Sequence, residues 1–363
     1  MIKVVLLNAY RRSNAGDGLL VDEAAALARE AFGDVDLTLV SMAPDGFSEY
    51  PRGLHPISGA GGAITRTGLI ARALTGRAHR DVMRAVAEAD VALGVGGGYL
   101  RAATISGALK SYLSHVVQVP KTASSTPHVY LPQSIGPLPP APFRRIARRL
   151  NNAQAVFVRD DRSLAELQAV GVEAKRMPDL AVLSMASSPP VPRQGTGPVG
   201  LVARALSGPD RGYRSRIIKL HDLLQSEVLV QSSGRGNDDP SFYRSLGWNR
   251  QHRPLLAALD GADAPSVVVS VRLHGSLQSI LAGVPSVHLS YERKGWGAYE
   301  DLGLGEFVHH AWTFDPDLVA EQVRRLNADA TPFWNSVAAS VPRLSAARRL
   351  LVEDLRRIGP RTP

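Results

Sequence analysis

The sequence contains no cysteine. Disulfides, thiolate nucleophiles and sulfur-ligated metal sites are therefore excluded together, although this alone does not identify a compartment. It also lacks any run of about 18 apolar residues able to cross a bilayer. No charged-then-apolar leader follows Met1, because IKVVLLNAY reads as a first strand. A soluble, cytoplasmic protein is expected. No set of His, Asp and Glu has ligand spacing, so the expectation is a metal-free site and no cofactor. The dinucleotide fingerprint is missing too: counting G-x-G-x-x-G from Gly94 puts Tyr99 where the last glycine should stand, which removes the main support for a nicotinamide enzyme.

Lysine is scarce. Of 42 basic residues against 33 acidic ones, only six are lysines, so arginine carries the excess of +9. That balance suits anionic ligands or an acidic membrane face. Nucleic acid is set aside, because the arginines are spread through predicted helices and no aromatic-basic stacking run accompanies them.

What is present is apolar residue in quantity, 44% of 363, enough for two α/β domains of roughly 150 to 190 residues each. The stretch the chain is organised around is SVVVSVRLHGSLQSILAGVPSVHLSYERK (266–294). It reads as a buried strand, a polar turn at Arg272-Leu273-His274-Gly275, a short helix stopped by Gly283, and a second strand opened by Pro285. Arg272 and His274 thus fall at a strand's carboxyl end, where open α/β sheets bind ligands. Arginine is a forked, permanently charged anion clamp, and histidine the side chain whose proton moves most easily near neutral pH. An Arg-x-His that only caps a turn is the bland alternative.

Other predicted βα turns carry polar residues in the same way. After the strand at 2–8, Asn14, Gly16, Asp17 and Gly18 precede a helix from about Leu19 to Phe32; Asp17 suits either a helix cap or a functional carboxylate. A second strand is VDLTLVS (35–41). A Gly-rich stretch, SGAGGAITRTG, leads to an Arg-rich helix over about 69–88. DVALGVGGGYLR (90–101) is a strand entering Gly96, Gly97 and Gly98, where a phosphate, carboxylate or sugar ring can approach the backbone closely. HVYLPQSIGPL (128–138) ends a strand at Gln133 and Ser134, and FRRIARRL comes next as a basic helix. AVFVRDDRSLAEL (155–167) ends a strand at Arg159, with Asp160, Asp161 or Ser163 read as helix caps rather than metal ligands. SMASSPPVPRQGTGP (184–198) reads as an interdomain linker. A second α/β series then runs into helices past Trp312, where Leu344, Ala347, Leu351, Leu355 and Ile358 keep helical spacing, with Arg343, Arg348, Arg349, Arg356 and Arg357 on the other sides. That helix is expected to pack back across the domains; lying on an anionic bilayer is the alternative. The expected organisation is an N-terminal α/β domain at 1–188, a linker at 189–198, a C-terminal α/β domain at 199–335 and a final helix at 336–363.

Two α/β domains, a proline-rich hinge and a last helix free to cross back resemble the GT-B architecture, with two Rossmann-like domains facing a central cleft. The ordered set NAGDGLL (14–20), GVGGGYL (94–100), LPQSIGPL (131–138), VFVRDDRSLAEL (156–167), PDLAV (178–182), VRLHGSLQSILAGVPSV (271–287) and YERKGWGAYEDLGL (291–304) resembles the polysaccharide pyruvyl transferase family. The resemblance implies transfer of an enolpyruvyl unit from phosphoenolpyruvate to two hydroxyls of one sugar in a cell-envelope glycan or glycolipid, releasing phosphate and leaving a pyruvate ketal. The residues at the matching positions suit that chemistry. Arg159, Arg272 and Lys294 supply cations for the donor's carboxylate and phosphate, with Gly97, Gly98 and Ser134 beside them. His274 is the expected general acid, and Asn14, Asp17 and Gln133 face the acceptor. The pair Arg11-Arg12 lengthens the first loop and Glu292 stands beside Lys294; both bear on the acceptor. Peripheral association with a membrane face goes with a lipid-linked acceptor.

Two other functions fit parts of the pattern. A nucleotide-sugar glycosyltransferase of the same architecture often carries Glu-x7-Glu. Glu292 and Glu300 satisfy that spacing only after the AGVPSV strand, not at the opening of the helix before it. A non-catalytic carbohydrate-binding protein has no need of Arg159, Arg272, His274 and Lys294 at once.

Overall fold

Runs of β-branched and aliphatic residues without polar alternation form strands buried on both faces, which is the condition of a parallel sheet. The computed structural model describes residues 1–57, 79–100, 115, 118, 125–138, 144, 147–233 and 238–360, and divides them between two units. The first holds Met1–Arg12, Asp17–Leu180 and Ala347–Pro363, the second Ser13–Gly16 and Ala181–Ala346. The Gly-rich stretch at 58–68, the start of the Arg-rich helix and positions 143, 145 and 146 of FRRIARRL lie outside the described residues.

The first unit is built on seven parallel strands: β1 (Ile2–Ala9), β2 (Val35–Ser41), β3 (Arg52–Leu54), β4 (Val91–Gly94), β5 (His128–Gln133), β6 (Ala155–Val158) and β7 (Lys175–Arg176). Their order, β3-β2-β1-β4-β5-β6-β7, reverses between β1 and β4. A doubly wound sheet opens its ligand crevice at such a reversal, beyond the strands' carboxyl ends. Helices α1 (Ala15–Phe32), α2 (Arg80–Glu88) and α3 (Asp161–Gln168) belong to its crossovers. α1 starts four residues before the predicted Leu19, because its first turn is Ala-Gly-Asp-Gly and carries no apolar period to announce it. Asp17 therefore lies inside the first turn rather than ahead of it, where the positive end of the helix dipole favours a carboxylate.

The second unit has five parallel strands, β8 (Gly200–Val202), β9 (Glu227–Val228), β10 (Val268–Ser270), β11 (Ser286–Ser290) and β12 (Val308–His310), in the order β12-β11-β10-β8-β9. The reversal here falls between β8 and β10. Its helices are α4 (Leu180–Ser187), α5 (Tyr213–Leu224), α6 (Asp239–Ser245), α7 (Leu255–Asp260), α8 (Leu273–Leu281), α9 (Arg293–Asp301), α10 (Pro316–Ala328) and the first part of α11 (Thr331–Ile358). α4 takes up residues 184–187 of the predicted linker. The proline-rich remainder of that segment is tied down within this unit: Arg193 N donates to Gly283 O at 2.9 Å and Gly197 N to Ala264 O at 2.9 Å.

The apolar stripe of α11 packs into protein core, with Leu344, Leu351 and Leu355 all fully buried. Arg348, expected on its polar side, is buried and pairs with Glu30 at 2.8 Å within the first unit. No helix of the described residues is long and apolar enough to cross a membrane.

Inside the second sheet, His288 is 2% exposed, stacks on Tyr299 and hydrogen-bonds Ser270 O at 2.9 Å. Burial pushes its imidazole from 6.5 down to about 3, so it stays neutral in the fold. Its folded pKa lies below the unfolded one. The stabilisation is therefore complete above about pH 6.5 and is lost as the pH falls toward 3. We expect urea unfolding to lose on the order of 3 kcal/mol more between pH 7 and pH 4 in the native chain than in His288→Asn; equal losses would show that this imidazole does not govern acid stability.

Candidate functional site

At the carboxyl end of β10 the backbone turns sharply into α8. The Ser270 hydroxyl shapes the turn, accepting from Arg272 N at 3.1 Å and donating to Arg272 O at 2.8 Å. Arg272 occupies the N-cap position of α8 and is 5% exposed. Its Nε donates to both carboxylate oxygens of Asp239, at 2.9 and 3.0 Å, and its Nη2 also bonds Asp239. Asp239, fully buried in the first turn of α6, accepts in addition from the backbone N–H groups of Gln231 at 3.1 Å and Ser232 at 3.0 Å. Burial pushes the Asp239 carboxyl above the usual range, against the opposing pull of Arg272 and the two N–H groups. A buried guanidinium keeps its position only with such a counter-charge.

His274 stands in the first turn of α8, half-buried. Segment Ser13–Gly16, which belongs to the same unit, lies against it: a Cβ on Gly16 would come within 2.5 Å of the His274 Cβ and 2.6 Å of its Nδ1. A bridge between Asn14 and Ser232 and the Gln278 side chain donating to Ala15 O at 3.1 Å help to hold that segment. Arg272, His274 and Asn14 are thus brought together as one group. Lys294, beyond β11, pairs with Glu292 at 2.8 Å. A Cβ on Gly275 would come within 2.4 Å of Gln231 Oε1 and 2.8 Å of Ser270 Oγ, so those side-chain ends pack directly on the first turn of α8.

The remaining predicted residues gather at the carboxyl ends of β4, β5 and β6 in the first unit. Arg159 is 2% exposed; its Nη1 bonds Asp179 and its Nε donates to Ser134 Oγ at 3.0 Å. Ser134 Oγ donates in turn to Asp160 Oδ2 at 2.6 Å, and Asp160 caps α3 by accepting from Ser163 N at 2.8 Å. Ser134 N donates to Gly97 O at 2.8 Å. A Cβ on Gly98 would stand 3.8 Å from Arg159 Nη2, so the two face each other. Among the described residues, Arg159 Nη2 and both polar atoms of the fully buried Gln133 amide have no hydrogen-bond partner. Gln133, expected on the acceptor side, stands next to Arg159, whose N donates to Gln133 O at 3.1 Å. Asp17 sits apart from β4, β5 and β6 in the chain order, at the head of α1.

Asp239, Asp179 and Gln231 escaped the sequence reading. Asp179 stands inside the PDLAV motif, and Asp239 inside an Asp-Asp-Pro that reads locally as a helix cap. Among the described residues no group of three or more His, Asp and Glu is arranged to hold a metal ion.

A family model described as polysaccharide pyruvyl transferase matches residues 14–293. No curated protein matches the sequence. In fold, the chain is similar to a solved structure described as a putative UDP-N-acetylglucosamine 2-epimerase from Listeria monocytogenes, at TM-score 0.53 and 14% identity, over 97% of this chain and 95% of that one. It is similar also to the UDP-GlcNAc 2-epimerase of Methanocaldococcus jannaschii, at TM-score 0.52 and 10% identity, over 97% of this chain and 100% of that one. At such identities the likeness describes the GT-B-like fold of two parallel α/β sheets.

Two variants test this geometry. Asp239→Asn should destabilise the chain by about 3–5 kcal/mol in urea unfolding, the cost of leaving a buried guanidinium without its counter-charge; an unchanged midpoint would show the pair to be dispensable. Gly16→Ala should displace His274 and cut turnover about 10- to 100-fold, measured at unchanged folded fraction; full activity would show that the contact is not constraining.

Proposed function

The chain belongs to the polysaccharide pyruvyl transferase family, and on that premise we propose that it moves the enolpyruvyl unit of phosphoenolpyruvate onto two hydroxyls of one sugar in a cell-envelope glycan or glycolipid, closing a pyruvate ketal and releasing phosphate. The observation that carries this reading is the single group formed by Arg272, His274 and Asn14 at the carboxyl end of β10, beside the point where the strand order reverses. Phosphoenolpyruvate is a small, highly charged acid, and the reaction needs an anion clamp and a movable proton close together.

In the proposed sequence the donor's terminal CH2 carbon takes a proton from His274 and becomes a methyl group, leaving an oxocarbenium-like carbon that the first sugar hydroxyl attacks. The C–O bond to phosphate then breaks, the second hydroxyl closes the ring, and the two hydroxyl protons end on the methyl group and on phosphate. Charge is conserved: a trianion becomes a carboxylate ketal and a phosphate dianion. Cationic side chains lower the barrier by stabilising the departing phosphate. Arg272 and Lys294 are proposed for the donor, together with Arg159, Gly97, Gly98 and Ser134. Asn14 and Asp17 are proposed for the acceptor, as Gln133 was from its sequence position. The reaction as proposed draws on no cofactor, and a lipid-linked acceptor would bring the protein to a membrane face.

Incubation with phosphoenolpyruvate and a panel of cell-envelope glycans, with phosphate release and product mass as readouts, tests the reading. A gain in mass of one pyruvate less water supports it. Thermal stabilisation by UDP- or GDP-sugars and none by phosphoenolpyruvate would replace it with a nucleotide-sugar glycosyltransferase. Within the proposed reaction, His274→Ala should lower turnover by about 10²–10⁴ while donor affinity stays within several-fold; retained turnover would remove His274 from the acid role.

A further inference from the structure

The charge balance at the carboxyl edge of the second sheet identifies a cation that none of the sequence motifs contains. Arg272 is neutralised by Asp239 and Lys294 by Glu292. Phosphoenolpyruvate carries close to three negative charges, and two neutral pairs do not provide the net positive field that a phosphate dianion requires. Arg204, two residues past β8, makes no ion pair among the described residues. Its Nη1 donates to the Tyr291 hydroxyl at 3.0 Å, and its Nε to Ala205 O at 3.2 Å. The guanidinium carbon lies 5.4 Å from the Tyr291 ring centroid.

The position of that contact matters more than its strength. β8 and β11 are not neighbours, because β10 runs between them, and strands two places apart in a sheet are separated by roughly 10 Å. Arg204 leaves the end of β8 and Tyr291 the end of β11, so their hydrogen bond spans the end of β10, which is where Arg272 and His274 emerge. The backbone carries Arg204 firmly: Tyr213 Oη donates to Arg204 O at 2.9 Å, and the fully buried Tyr243 hydroxyl accepts from Ala203 N at 3.1 Å. The residue is half-buried, and its Nη2 has no protein partner among the described residues.

We propose that Arg204, braced by Tyr291, is the second unit's phosphate-binding residue. The inference rests on phosphoenolpyruvate being the donor. The dianionic phosphate goes to this guanidinium, which makes no ion pair among the described residues and is held over the end of β10, and the singly charged carboxylate is left to a paired arginine. Tyr291 holds the fork over β10 and shields it from solvent, so that phosphate approaches a pre-oriented donor edge.

The test uses the full chain. Affinities for phosphoenolpyruvate, inorganic phosphate and pyruvate are measured by titration calorimetry on the native protein, Arg204→Gln, Arg204→Lys and Tyr291→Phe. Loss of a charge-assisted contact predicts about 10- to 100-fold weaker binding of phosphoenolpyruvate and phosphate to Arg204→Gln. Arg204→Lys should recover part of that loss, Tyr291→Phe should show a smaller one, and pyruvate affinity should not change. Unaltered phosphate affinity in Arg204→Gln overturns the proposal, as does a Lys variant no better than Gln, or a loss confined to pyruvate. A native chain that binds phosphate through Arg204 but neither binds nor consumes phosphoenolpyruvate would refute the donor assignment and leave the phosphate site standing.

Discussion

A guanidinium and a carboxylate shut away from water at the end of one short strand fix the geometry of the second unit's candidate site. Arg272 and Asp239 satisfy each other on two nitrogens and two oxygens, and Asp239 uses its remaining lone pairs on the backbone of Gln231 and Ser232. The loop after β9 and the turn after β10 are thereby locked to one another. Gln231 then faces Gly275, Ser232 bridges to Asn14, and the segment carrying Gly16 is brought against His274. A chain of close contacts thus runs from one buried charge pair to the imidazole. Removing either charge would leave the other uncompensated in a low-dielectric interior, so the pair is more consequential for placement than for net stability.

The same device recurs in the first unit, where Arg159 is held by Asp179 and Ser134, and again on α11, where Arg348 meets Glu30. Several arginines that a positive net charge suggests are free for ligands are committed internally. The protein's surplus charge is informative only after these pairs are subtracted. His288 makes the complementary point: burial keeps it neutral at any ordinary pH, so that imidazole is spent on packing within the sheet.

The elements that can be read from the sequence are those defined by local pattern. β2 runs over Val35–Ser41 as expected, and the strand, turn and helix from Val268 to Leu281 obey the apolar period and the Gly283 stop. What escaped is what depends on distance along the chain. Asp239 and Arg272 are 33 positions apart, and Glu30 and Arg348 are 318 apart; no window of local periodicity connects them. Asp239 also hides behind Asp238, a helix cap accepting from Ser241 N at 3.3 Å, so that two adjacent aspartates look alike although one is structural and exposed and the other anchors the site. Arg204 lies just past a strand of only three residues, and the role proposed for it depends on the order of strands in the sheet, which the linear sequence does not encode locally.

The closing helix has a consequence for how such proteins can be recombined. Its last turns, from Ala347 onward, are counted with the first unit. There Arg348 and Arg356 reach Glu30 and the end of α1, and Lys175 reaches Asp354. A hybrid gene spliced in the proline-rich stretch would therefore give its amino-terminal half a foreign tail, with Glu23 and Glu30 facing side chains they did not evolve beside. A workable chimera must carry the two ends of the chain as one inheritance and exchange only what lies between them.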